Sequence, residues 1–104
     1  MALIERGMVM NIHITDEALA WFEEEMGCLP GDYIQFFVRY GGDSKVHPGF
    51  SLGIKKAAPY ELGMEVIKDN IHFYFEARDE WYFKDYTLTV GFDPQLEEIT
   101  YQYE

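Results

Sequence analysis

The chain has 104 residues, 48% of them hydrophobic and 17% aromatic, with 19 acidic residues against eight basic ones for a net charge of −11. That length makes one domain, which buries roughly 65% of its unfolded surface without staples, and the acidic balance excludes non-specific binding to nucleic acid, whose phosphates are held by Lys and Arg. The single cysteine, Cys28, excludes an internal disulfide. No apolar run approaches the roughly 20 residues that cross a bilayer, and no basic-then-apolar leader begins the chain, so a cytoplasmic protein is expected, monomer or homodimer.

Residues 1–9, Met1 to Val9, share no pattern with the rest of the chain, and Met10 offers a second start. They are expected to be an adventitious or disordered extension of a domain covering 10–104. Asn11 to Ile14 alternates as a half-buried strand does, turning His13 to solvent. Thr15 then offers a hydroxyl N-cap to a helix running to about Met26, with Asp16 and Glu17 favourably placed in its first turn and Gly27 as its stop. Ala18, Leu19, Phe22 and Met26 recur at helical spacing as one apolar face, on which Ile14 can staple Leu19, while Glu23, Glu24 and Glu25 read as a solvated face.

After the turn signal Leu29-Pro30-Gly31-Asp32, Tyr33 to Tyr40 is β-favouring throughout and largely apolar on both faces, as a central strand would be. Phe50, Leu52 and Ile54 alternate with Ser51 and Gly53 in the next strand, which Ala57-Ala58-Pro59 interrupts. Met64 to Lys68 and Ile71 to Glu76 flank Asp69-Asn70, a tight-hairpin turn. Ala77 to Phe83 reads as a helical turn bearing Trp81 and Tyr82. Tyr86 to Phe92 and Ile99 to Tyr103 are strands joined through Asp93-Pro94. The expectation is a single α+β domain of about seven short, mostly antiparallel strands with one helix in the N-terminal half and a short helical turn.

Charge falls unevenly along this chain. Residues 39–56 hold Arg39, Lys45, Lys55 and Lys56 against Asp43, a local +3 that leaves −14 for the rest. Such a segment steers an anion or an acidic partner to one place. Gly41, Gly42, Gly49 and Gly53 let the backbone approach a ligand or another chain closely. The segment therefore supplies the candidate binding residues Arg39, Gly41, Gly42, Lys45, His47, Gly49, Lys55 and Lys56, for a protein partner or a small anion. The Walker spacing and a following helix are both absent, which argues against a phosphate-cradling loop.

Little else points to chemistry. His13, His47 and His72 follow no standard metal-ligand spacing. Cys28 follows a helix C-terminus near Glu24 and Glu25, where a thiolate is disfavoured. No serine-hydrolase elbow and no identifiable acid–base pair occur, so no catalytic residue is assigned and a non-catalytic protein is expected. The strand Tyr and Phe residues read as packing rather than as a platform for stacking bases.

The element order, with Ile12-His-Ile-Thr-Asp-Glu-Ala18 leading the helix, Gly41-Gly42 and Gly49-Phe50-Ser51 on the next two strands, Gly63-Met-Glu-Val66, Ile71-His-Phe-Tyr-Phe75 and the Trp81-Tyr82 turn, resembles the HesB-like superfamily of iron–sulfur cluster biogenesis proteins. The likeness runs over residues 10–104 and is nearest to the short YneR-like branch of Gram-positive bacteria. It implies the HesB-like fold and a bacterial, cytoplasmic setting. Cluster-carrying members ligate through a cysteine before the Gly-Phe-Ser-like strand and a Cys-Gly-Cys near the C-terminus. Here the first position is His47 and the tail is Thr100-Tyr-Gln-Tyr-Glu104, so every one of those thiolates is missing. No cofactor is expected. The alternative that the resemblance leaves open is an accessory protein of cluster assembly or metal handling, with His47 as a ligand to iron or an iron–sulfur cluster.

Overall fold

In the computed structural model, residues 11–41, 49–83 and 86–104 are described. Residues 1–9 therefore lie outside the described residues. Among the described residues seven strands, one α-helix and one 3-10 helix follow in order: β1 (Asn11–Ile14), α1 (Asp16–Glu25), β2 (Tyr33–Tyr40), β3 (Phe50–Lys56), β4 (Leu62–Lys68), β5 (Ile71–Glu76), the 3-10 helix Ala77–Phe83, β6 (Thr87–Asp93) and β7 (Glu98–Tyr103). The α+β class is as expected.

The strands form a three-stranded sheet, β1-β6-β7, and a four-stranded sheet, β3-β2-β5-β4. Three strand pairings are antiparallel and two, β1 with β6 and β2 with β5, are parallel. β2 lies between β3 and β5, the central position expected of it. Asp69 and Asn70 both adopt positive φ, 53° and 63°, the geometry of the tight turn expected between β4 and β5.

Thr15 caps α1 by accepting the Ala18 N–H at 3.1 Å, and the apolar stripe carries Ala18 and Phe22 into the core. Phe22 is 0% exposed. Its ring meets Phe36 and Phe73 of the four-stranded sheet edge-on, at centroid distances of 6.3 and 5.0 Å, while the helix itself packs chiefly on β6. One apolar core thus joins helix and both sheets. Lys68 adds a polar tie, donating to the Ile14 carbonyl at 2.6 Å and pairing with Asp16 at 2.9 Å.

The start of β4 departs from the sequence reading, and the cover on β5 is a feature that reading did not address. β4 begins at Leu62 rather than Met64, because a register irregularity between Leu62 and Glu65 lets the strand rejoin β5 after a bulge. β5 is also covered on both faces. Tyr74 and Glu76, which point away from the core, are buried beneath the connection that follows β3. The Tyr74 hydroxyl donates to the Ala57 carbonyl at 2.7 Å, and the Glu76 carboxylate accepts the backbone N–H groups of Tyr60 and Glu61 at 2.7 and 2.6 Å.

Candidate functional site

The turn end of the β2–β3 hairpin gathers, near the basic segment, two of the three exposed large aromatics among the described residues, Tyr40 and Trp81. Register places Tyr40 opposite Phe50 and Arg39 opposite Ser51, and Arg39 Nε donates to Ser51 Oγ at 3.0 Å. The hairpin closes where the Gly41 N–H donates to the Gly49 carbonyl at 2.9 Å. Both glycines have positive φ, 100° and 87°, which side-chain-bearing residues rarely adopt.

The 3-10 helix brings a third aromatic. Tyr82 and Phe83 are buried and anchor it, which leaves Trp81 half exposed against Phe50, edge to face at 5.8 Å. Tyr40, 87% exposed, also packs on Phe50, at 5.1 Å. Asp79 accepts the Val38 N–H at 3.3 Å, occupying a β2 donor beyond the reach of β5. Between them lies a shallow depression of about 170 Å³ with Arg39 and Asp79 beside the aromatics. Apolar rings flanked by one positive and one negative group suit a protein surface better than a free anion.

The predicted binding residues do not all converge. Arg39, Gly41 and Gly49 lie at the turn end. Lys55 sits over the Phe37 ring, 5.2 Å from its centroid, and that ring in turn occupies the space a side chain at Gly53 would need. Lys56 faces Asp32 at 3.6 Å and the Gly27 carbonyl at 3.5 Å. It lies five residue steps along the strand from Ser51, about 17 Å. Gly42, Lys45 and His47 lie outside the described residues.

The other candidates have ordinary environments. His13 is exposed. His72 Nδ1 lies 2.8 Å from Glu65 Oε2, with the Tyr33 ring stacked on the imidazole at 4.1 Å. Cys28 is buried, and its thiol is pushed up mainly by desolvation, with Asp32 and Glu23 adding to the shift and Lys56 opposing it. The thiolate is therefore disfavoured as expected, but by burial first, and by acids other than Glu24 and Glu25. One buried thiol does not fit an iron–sulfur cluster, which takes several thiolates. Among the described residues no group of three or more His, Cys, Asp or Glu is placed to hold a metal ion.

Sequence reasoning missed the pairing of Tyr40 with Phe50, the Asp79 contact and the Glu76 clamp. The hairpin register carries the first once the strand ends are known. The other two depend on where the 3-10 helix and the Ala57–Glu61 connection cross the sheet, for which the sequence holds no local signal.

The chain is 43% identical over 95 residues to the pyruvate dehydrogenase inhibitor of Bacillus subtilis (strain 168), a match covering 91% of this chain and the whole of that protein. It is also 36% identical over 95 residues to an uncharacterised protein of Staphylococcus saprophyticus, covering 88% of this chain and 97% of the relative. A third relative, an uncharacterised protein of Staphylococcus epidermidis, is 32% identical over 96 residues, 89% of this chain and 98% of its own length. The chain belongs to the family of these proteins. No family model matches it and no solved structure does. No helix among the described residues is long and apolar enough to cross a membrane.

Proposed function

We propose that this chain is a non-catalytic cytoplasmic protein that acts by docking on another protein through the turn end of the β2–β3 hairpin, and that its target is pyruvate dehydrogenase. The observation that carries the reading is the near-full-length likeness to the Bacillus subtilis protein called a pyruvate dehydrogenase inhibitor. Inhibition by docking asks no chemistry of the inhibitor, in keeping with a chain in which no catalytic constellation is assigned. Tyr40, Phe50, Trp81 and Arg39 support the location, because Trp, Tyr and Arg dominate the energetics of protein interfaces. The separation of Lys55 and Lys56 from Arg39 favours a protein partner over a small-anion site. On the resemblance, the scaffold is HesB-like and has kept the fold without the cluster ligands.

The test is titration of purified Bacillus subtilis pyruvate dehydrogenase with this chain. Saturable inhibition is expected, with Trp81→Ala raising the half-inhibitory concentration by about 10- to 30-fold, the size of a lost hot-spot residue. Arg39→Glu and added salt should weaken inhibition more modestly. Unchanged activity at a tenfold molar excess, with no co-migration of the two proteins, would refute the target. Full inhibition by Trp81→Ala at wild-type concentrations would refute the surface.

A further inference from the structure

A second surface lies apart from the hairpin, along the flank of α1. The buried stripe of the helix is Ala18 and Phe22. Beside it Glu17, Trp21 and Glu24 recur at four and three residues and so form a parallel stripe. The end of β6 and the turn after it face that stripe, contributing Phe92 and Glu97 respectively, and between them and the helix runs a groove of about 580 Å³. That volume falls in the range of about 300–1,000 Å³ usual for ligand sites. Its apolar walls include the partly buried Trp21 and Phe92, and its glutamates, Glu25 among them, are exposed at the rim.

Among the described residues none of these glutamates is in an ion pair, and they are not grouped so as to hold a metal ion. A bare cation would also make no use of the aromatic walls. An apolar floor with a carboxylate rim instead complements a side chain having an aliphatic stem and a cationic tip, which describes lysine and arginine. Trp21 suits the same group, since an indole face is the best aromatic partner for an ammonium or guanidinium ion.

We infer that the groove between α1 and the β6–β7 turn binds a basic, partly apolar segment of a protein partner, seating Lys or Arg stems on Trp21 and Phe92 with their charges among Glu17, Glu24, Glu25 and Glu97. The site is separate from the hairpin surface and does not depend on the identity of the target proposed for it.

Calorimetric titration of the full chain at low salt with the capped peptide Arg-Leu-Lys-Leu-Arg tests this. One-to-one saturable binding is expected, weakened about three- to tenfold in the Glu24→Gln, Glu97→Gln double variant, whose exposed substitutions leave the fold intact. Trp21→Leu, checked for folding by circular dichroism, should weaken it further by removing the indole face. Two control peptides separate the contributions. Gln-Leu-Gln-Leu-Gln should not bind measurably, and Arg-Ser-Lys-Ser-Arg should bind more weakly than the leucine peptide. No saturable heat up to millimolar peptide would overturn the inference. So would equal binding of the neutral peptide, equal binding of the serine peptide, or an affinity untouched by the double glutamine variant.

Discussion

Glu76 offers the sharpest test of how the outer face of the four-stranded sheet is covered. Its side chain is 5% exposed, and the carboxylate accepts two backbone N–H groups, from Tyr60 and Glu61. Desolvation by burial pushes its proton affinity up, but the two hydrogen bonds, with the Arg78 and Lys55 charges, outweigh it and hold the group below the ordinary value of 4.5. Glu76→Gln keeps the shape, retains one acceptor, and turns an NH2 group toward the second backbone N–H. Hydrogen bonds to a charged group contribute about 1.5–3 kcal/mol and an orphaned buried donor costs about 1–3 kcal/mol, while relief of the buried charge offsets part of the loss. The net expectation is a destabilisation of about 2–3 kcal/mol, or about 10–20 °C in a domain of this size. The sign with pH follows from linkage. A carboxyl whose pKa is lowered on folding contributes its full stabilisation above the unfolded value and loses it as pH falls through the folded one. Urea unfolding of wild type and Glu76→Gln should therefore show a constant difference from pH 7 to about 5 that shrinks below about 4.5. A loss under about 0.5 kcal/mol at pH 7, or a difference that persists undiminished at pH 3, would show that the clamp does not hold the connection after β3.

The core makes a simpler prediction: Phe22→Ala should cost about 3–5 kcal/mol in chemical denaturation, because a fully buried ring touching Phe36 and Phe73 is removed, and a loss under 1 kcal/mol would mean that the helix face is misassigned. Gly53→Ala puts a methyl group where the Phe37 ring now lies, so about 1–3 kcal/mol should be lost, and Phe37→Ala in the same chain should recover part of it. Purely additive losses from the two substitutions would argue against that contact. Anaerobic reconstitution with iron and sulfide should leave the protein colourless, since Cys28 is its one thiol and is buried; charge-transfer bands with stoichiometric iron and sulfide would revive His47 as a cluster ligand.

Local pattern alone determined a large part of this molecule. The Thr15 cap, the Ala18–Phe22 stripe and the Asp69-Asn70 turn are written in short-range preferences of backbone and side chain, which act over a few residues and survive in almost any surroundings. The central position of β2 was legible for a related reason, since its run of β-favouring residues is largely apolar on both faces, as suits a strand in the interior of a sheet. Tertiary structure decided which distant segments cross. It set Trp81 beside Phe50 and Tyr40, sent Lys56 to Asp32 instead of to Arg39, and laid the Ala57–Glu61 connection over Tyr74 and Glu76. Those contacts join residues far apart in sequence, and their energies depend on a burial that exists only once both partners are in place. A run of charge in the sequence therefore identified a segment of interest, whereas the aromatic surface on it and the groove along α1 emerged from the packing of helix and turns on the sheets.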